Sequence, residues 1–436
     1  MNIRAMVKRL VPRGLFQRIE PTGHLLEAVF FNVLYGFPGR GLNVIGITGT
    51  NGKTTTVFLV HRMLVEAGYK AGFMSTVGYG TGTDVRMQVH HMTNVPAPEF
   101  MKRLRWMRQQ KVDWLVLETT SHALAQHRVW GVPYSIAVVT NVTHEHLDYH
   151  KTMERYIAAK RSLFTLTQHN ARGRRLGIVN ADDPIAAEFA AETENSVSYG
   201  VQAGDVRATA IELRADGIRC RAEADDMSYD IQSSLPGSFN VHNTLAAVCV
   251  GRVIGLSREQ IEQGIAALKG VEGRMTPIDE GQGYTVIVDF AHTPDSFEKL
   301  FKDLRPVIKG KLIVMFGSAG RRDEAKRAVQ GRLAGKYADE VVLTEEDDRD
   351  CDGGAIIDEI ARGAERSGKK LGKDLFLIHD RLDAITFAVG RATDTADVVL
   401  LLGKGHEKTI ERADGEHPWD EIGTAHDVVR ARLGEK

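Results

Sequence analysis

Residues 46–56 read G-I-T-G-T-N-G-K-T-T-T, and this stretch decides the kind of fold. Before it, N-V-I-G-I (43–47) reads as a short buried strand. After it, V-F-L-V-H-R-M-L-V-E-A-G (57–68) reads as a helix stopped by Gly68. Strand, glycine loop and helix form the context in which G-K-T binds phosphate. Backbone N–H groups wrap the anion, Lys53 reaches it, and Thr54 offers a hydroxyl to Mg²⁺. The usual spacing places a glycine five residues before Gly52, but that position is Ile47. The nearest glycines are Gly46 and Gly49, so the loop is a variant.

Outward from the loop, apolar strands recur at D-W-L-V-L-E (113–118), S-I-A-V-V-T-N (135–141) and R-L-G-I-V-N (175–180), with helical segments between the first three. The alternation predicts a parallel α/β sheet with ligands at the carboxyl ends of its strands. Short alternating stretches over 196–235 predict a small antiparallel β insertion. A second α/β series follows a turn at 280–283, with strands at 285–290, 311–317, 340–344 and 397–403. The expected boundary lies near Gly273, giving a helical segment 1–40, an ATP-binding unit 41–273 and a C-terminal unit 274–436.

The 436 residues carry a net charge of −1, with 43% hydrophobic and 26% charged residues, the balance of a globular protein of two or three domains. Such a charge gives no field for a polyanion and argues against nucleic acid as a partner. Cys220, Cys249 and Cys351 lack metal spacing and imply a reducing, cytoplasmic setting. No run approaches the roughly 20 apolar residues of a membrane span. The N-terminus is basic (Arg4, Lys8, Arg9, Arg13), but A-V-F-F-N-V-L-Y (28–35) is short and interrupted by Asn32, and no small-residue cleavage site follows. A signal peptide is therefore not expected. Residues 1–35 are expected to pack against the body, with peripheral membrane contact as the alternative.

Glu118 closes the strand W-L-V-L-E, where a carboxylate can hold the nucleotide's Mg²⁺. T-N-V-T-H-E-H-L-D-Y-H (140–150) adds three histidines and two acids. His146 and His150, four apart, could face zinc together. The preferred reading gives one histidine to a second Mg²⁺ near the γ-phosphate.

G-T-N-G-K-T-T, L-E-T-T-S-H-A-L-A-Q-H-R, T-N-V-T-H-E-H-L-D-Y-H, Y-I-A-A-K-R-S-L-F, L-P-G-S-F-N-V-H-N, E-G-R-M, D-F-A-H-T-P-D and G-K-G-H-E follow one another over about residues 40 to 425. Together they resemble the Mur ligase family, the ATP-dependent amino acid ligases of peptidoglycan precursor synthesis, and within it the muramoyl-tripeptide synthetases. The resemblance implies a P-loop ATPase domain followed by a smaller Rossmann-like α/β ligase domain. It also implies that ATP activates a carboxylate as an acyl phosphate, which an amine then attacks.

By the same resemblance, Gly49, Thr50, Asn51, Gly52, Lys53, Thr54, Thr55, Asn240, Asn243, Arg274, Asp289 and His292 surround ATP. The catalytic set is Lys53, Glu118, His146 and Lys160. Thr54, Glu118 and His146 are implied as ligands of two Mg²⁺, with Lys160 joining them as a carbamate. Thr120, Gln126 and Arg128 match positions holding a muramoyl-peptide substrate, with Thr120 replacing a serine. Arg322, Asp347, Arg349, Gly403 and Glu407 match the pocket for the incoming diamino acid.

Two larger departures and two smaller ones bear on substrate. The family opens with a UDP-binding domain, whereas about forty residues precede the loop here. The family's D-N-P-R motif is replaced within T-E-E-D-D-R (344–349): Arg349 remains, and Asp347 and Asp348 stand for Asn and Pro. The added acids favour a cationic amine, and diaminopimelate is expected slightly ahead of lysine. Glu145 stands where the family has Asp, and the threonine-threonine-proline loop is altered to M-T-N-V-P-A-P (92–98). The rival readings are a ligase of the same fold acting on folate polyglutamate or a cyanophycin-like polymer, and a non-catalytic nucleotide-binding scaffold.

Overall fold

A computed structural model describes residues 13–87, 93–214 and 217–434. Arg4, Lys8, Arg9 and Met92 lie outside them. The strand Asn43–Thr48 is buried along five of its six residues, so both faces of its sheet must be covered. It pairs in parallel with Trp114–Glu118 on one side and Tyr134–Val139 on the other. Helices Lys53–Glu66, Phe239–Ile254 and Arg258–Ala266 supply Val57, Val60, Leu245, Val248, Ile261 and Ile265 to the core on one face. Helices Ala97–Gln109 and Met153–Gln168 supply Phe100, Met101, Leu104, Leu163 and Phe164 to the other.

The region expected as a small antiparallel β insertion (196–235) is continuous with this sheet. Asn195–Gly200 runs parallel to Leu176–Asn180. Val206–Arg214 joins it in parallel, and Gly217–Glu223 and Ser228–Ser233 then extend the same sheet as antiparallel strands, for eleven strands among the described residues. Ile218, Cys220, Ala222, Tyr229 and Ile231 turn inward and join the first core, while the alternate residues face solvent. Alternation reveals a half-buried antiparallel strand but not which sheet it joins. At the opposite edge, Gly78–Thr81 and Asp84–Met87 add a meander too short and polar to read from the sequence.

The second sheet has the order Thr276–Ile278, Thr285–Asp289, Val398–Leu402, Leu312–Phe316, Glu340–Leu343, Leu375–Leu377, all parallel except the first. Helices Pro294–Leu304, Ala325–Tyr337 and Gly353–Glu365 cover one face, and Arg381–Arg391 and Glu421–Gly434 the other. The four strands expected here are present within a residue or two. The outer strands and the hairpin Thr409–Arg412/Gly415–Pro418 were not read.

The N-terminal helix Arg13–Leu34 buries His24, Ala28 and Asn32. Asn32 Nδ2 donates to the carbonyls of Ala28 and Trp130, both at 3.0 Å, which ties the helix to the body. Packing against the body was the expected arrangement for this segment.

Candidate active site

The carboxyl ends of the two sheets face one another, and a cavity of about 1260 Å³ lies between them. On the first wall, the loop needs its glycines. Gly49 has φ +147°, and a Cβ there would meet Thr140 Oγ1 at 1.9 Å. Gly52, with φ +84°, caps helix Lys53–Glu66, and a Cβ would fall 2.2 Å from Asn243 Oδ1. The first-turn N–H groups of that helix are thereby left for an anion. Lys53 Nζ donates to Thr50 O at 2.7 Å, bent back over its own loop. Asn51 Nδ2 crosses to Asp295 Oδ2 of the other wall at 2.8 Å.

Glu118 ends its strand beside this loop, buried. Its Oε2 accepts from Thr54 Oγ1 at 2.9 Å and from Thr76 N at 3.0 Å, and its Oε1 accepts from Thr76 Oγ1 at 2.9 Å. Thr54 and Glu118 thus form one oxygen-rich pair suited to a hard cation. His146 sits in the left-handed region (φ +56°) ahead of the turn Leu147–His150, so it does not share a helix face with His150. His150 Nε2 lies 3.0 Å from Ser121 Oγ, and the paired-histidine zinc reading loses its geometry. His146 Nε2 is 3.7 Å from Glu145 Oε2, and Glu145 Oε1 is 3.4 Å from His292 Nε2. Burial pushes the Glu145 carboxyl up, but His146 and His292 outweigh it and hold it well below the carboxylate range. Burial likewise lowers His146, against the pull of Glu145.

Lys160 lies beneath the loop, 2% exposed, with Nζ 2.5 Å from Gly49 O and 4.4 Å from the centre of the Tyr156 ring. Burial first, and then the charge of Lys53, depress its amine well below an ordinary lysine. It lies behind the cavity lining rather than in it.

From the second unit, Arg274 reaches across to Thr54 Oγ1 at 3.4 Å and stacks 4.6 Å over Phe290. Its Nε is buried with no hydrogen-bond partner among the described residues. A half-buried guanidinium facing a phosphate loop with its buried Nε unspent fits a polyphosphate ligand. A second cavity of about 400 Å³ adjoins the first. Thr55, Asn240, Asn243, Asp289 and His292 line it, with Pro184, Leu235, Phe239 and Met275 as apolar walls. Its size and mixed lining suit a nucleoside. Asp289 is spent locally, accepting from Met275 N and Ala291 N at 2.7 Å each, so it shapes the loop.

Thr120 caps helix Ser121–Ala125, contacts Asn94 Oδ1 at 3.0 Å and lines the large cavity. Gln126 and Arg128 do not line it. Arg128 is buried and donates to the carbonyl of Asn94, which fixes the 93–95 loop against Thr120. At the far end, Arg322, Asp347, Arg349, Gly403 and Glu407 come together. Fully buried Lys404 sits among them, 2.9 Å from Asp347 Oδ1 and 2.6 Å from Glu407 Oε2. Burial lowers its ammonium, and the two acids more than restore it.

Thr76, Asn94, Glu145, Asp295 and Lys404 were not assigned from the sequence. Lys404 and Asn94 stand within G-K-G-H-E and M-T-N-V-P-A-P, so their motifs carried a signal; Thr76 had none.

Comparisons with known proteins agree with this arrangement. Residues 47–251 match the Mur ligase middle domain, and residues 273–405 match the Mur ligase, glutamate ligase domain. The chain belongs to the Mur ligase family. This Mur ligase is 42% identical over 426 residues to the UDP-N-acetylmuramyl-tripeptide synthetase of Roseiflexus sp. (strain RS-1), covering 95% of the chain and 83% of that relative. It is 37% identical over 413 residues to the UDP-N-acetylmuramoyl-L-alanyl-D-glutamate--2,6-diaminopimelate ligase of Bacillus cereus (94% and 82% covered). A solved 2,6-diaminopimelate ligase of the same description superposes with a TM-score of 0.62 at 27% identity, over 95% of the chain and 83% of that structure. The folylpolyglutamate synthase of Mycobacterium tuberculosis shares the fold (TM-score 0.73, 16% identity, 99% and 98% covered). Members of the family are ATP-dependent ligases that form C–N bonds and use Mg²⁺, and this chain is one of them.

Proposed function

We propose that this Mur ligase joins a diamino acid to the carboxylate of a muramoyl peptide, in the cytoplasm, at the expense of ATP. One observation carries the reading: a single cavity is lined by the phosphate loop, by Thr120 and by Asp347 and Glu407, the two acids that hold Lys404. ATP and the two substrates would meet there, which is what ligation through an acyl phosphate requires. The adenine nucleoside occupies the 400 Å³ cavity, and the phosphates follow the loop past Lys53 and Arg274. Thr54 and Glu118 hold one Mg²⁺; His146 and a carbamate on Lys160 hold a second. When bound, the ions offset the charge of carboxylate and γ-phosphate, which must approach each other.

Lys53 and Arg274 add fixed positive charge at the same point. The buried, depressed amine of Lys160 supports its assignment, because only a neutral amine adds CO₂. Acids around the incoming amine orient it through its charge, and closure of the two units keeps water from the acyl phosphate.

The test is ATP turnover with UDP-muramoyl-dipeptide and diaminopimelate, lysine, ornithine or glutamate, with products weighed by mass spectrometry. A product heavier by one diamino acid is expected. Ligation of glutamate to a folate in its place would move the enzyme to another branch of the family. Bound ATP without any turnover would leave a scaffold.

A further inference from the structure

The Glu118 carboxylate is held chiefly by a residue that no motif marks. Strand Ala71–Met74 pairs in parallel with Trp114–Glu118, Met74 against Leu117, so the chain leaving it passes beside Glu118. Ser75 closes the chain there into a turn. Its N–H donates to Gly78 O at 2.8 Å, and its Oγ accepts from Gly78 N at 3.2 Å. Thr76, carried on this turn, donates to both oxygens of Glu118, from N to Oε2 at 3.0 Å and from Oγ1 to Oε1 at 2.9 Å. Among the described residues three donors reach this carboxylate. Thr76 supplies two of them and Thr54 Oγ1 the third.

Thr76 is itself held from the substrate side. Its Oγ1 lies 2.7 Å from Thr93 Oγ1. A hydroxyl has one proton, and a carboxylate oxygen only accepts, so the Thr76 proton goes to Glu118 and Thr93 must donate to Thr76. The next residue, Asn94, donates from Nδ2 to Glu118 O at 2.8 Å and accepts from Thr120 N and Oγ1 at 3.0 Å each. Thr54, Thr76, Thr93, Glu118 and Thr120 all line the large cavity. A continuous run of hydrogen bonds therefore joins Thr93, Thr76, Glu118 and Thr54.

We propose that Thr76 is a positioning residue for the Glu118 carboxylate as a metal ligand, and that Thr93 acts on Glu118 through it. This rests on the reading of Glu118 as a ligand of the nucleotide's Mg²⁺. A carboxylate gripped at both oxygens is fixed in rotation, so a cation meets a ligand already ordered, and loss of such a partner weakens metal binding.

Mn²⁺ binding by the full chain with ADP, read from the free-ion electron paramagnetic resonance signal, tests this beside ADP affinity in EDTA. Thr76→Val keeps the side chain's shape and the backbone N–H bond and removes the hydroxyl. It should weaken Mn²⁺ binding by about tenfold. Metal-free ADP affinity and thermal unfolding should stay as in the wild type, and Thr76→Ser should restore the metal. Thr93→Val should weaken Mn²⁺ binding by about threefold. The double variant should lose no more than Thr76→Val alone, because one hydroxyl acts through the other. Wild-type Mn²⁺ affinity in Thr76→Val, or a loss that serine leaves unrepaired, would overturn the role of Thr76; additive losses would overturn the route through Thr93. Glu118→Gln separates the two levels. If it weakens Mn²⁺ binding while Thr76→Val does not, the role of Thr76 alone falls. If it binds Mn²⁺ as the wild type does, the metal assignment falls and takes the proposal with it.

Discussion

Arg349 Nε donates to Glu411 Oε2 at 2.7 Å, and the two residues are also joined through Arg349 N and Glu411 O at 2.9 Å. Arg349 Nη1 donates to Gly320 O at 2.5 Å, and Nη2 is 3.9 Å from Asp347 Oδ2. Most of the guanidinium fork is therefore engaged within the chain. A distal carboxylate on an incoming amino acid must compete with Glu411, whereas a distal ammonium need not. Glu411→Gln should raise kcat/KM for diaminopimelate relative to lysine by about tenfold, close to 1.4 kcal/mol. An unchanged ratio in competition assays would remove Arg349 from that end of the pocket.

Lys160 gives a second prediction. Its depressed amine stays neutral, and so open to CO₂, at lower pH than a surface lysine. Carbamate formation releases a proton and is reversed by acid, so activity that depends on it falls as pH drops. Lys160→Ala should lower ligation by at least about a hundredfold, the scale of losing one electrostatic group at a reacting centre. Formate or acetate should restore part of it by supplying the missing anion. An alanine variant with unchanged circular dichroism and no response to either acid would exclude the carbamate.

Away from the site, His61 is buried against Phe73, with Nε2 3.3 Å from Ala71 O, and burial pushes its imidazole down to about 4. The unfolded chain binds a proton near pH 6.5 that the folded one refuses until about pH 4. Stability from this group is therefore complete above 6.5 and is lost as pH falls toward 4. By pH 5 the loss is about 2 kcal/mol. Urea titrations at pH 7 and pH 5 should show His61→Gln losing less over that interval than the wild type; equal losses would place the pH sensitivity elsewhere.

Much of the architecture was legible because its determinants are local. The run 43–56 carries its own strand, turn and helix start, and the glycines at 49 and 52 follow from close backbone approach to Thr140 and Asn243. Glu118, at the end of an apolar strand, was placed by its position alone. His146 and His150 show the limit of such reasoning. A four-residue spacing places two side chains on one face only if both lie in one helix, and His146 stands outside in a left-handed conformation.

What the sequence by itself determined is the central strands of both sheets, the phosphate loop and the family, all written in contiguous motifs. Tertiary structure alone decided that residues 195–233 extend the central sheet, since any half-buried edge accepts strands of that pattern. It also decided that Arg128 holds a loop rather than lining the cavity, and that buried Lys404 is held between Asp347 and Glu407. These depend on pairings between residues many positions apart, and a side chain's charge does not tell which distant partner will claim it.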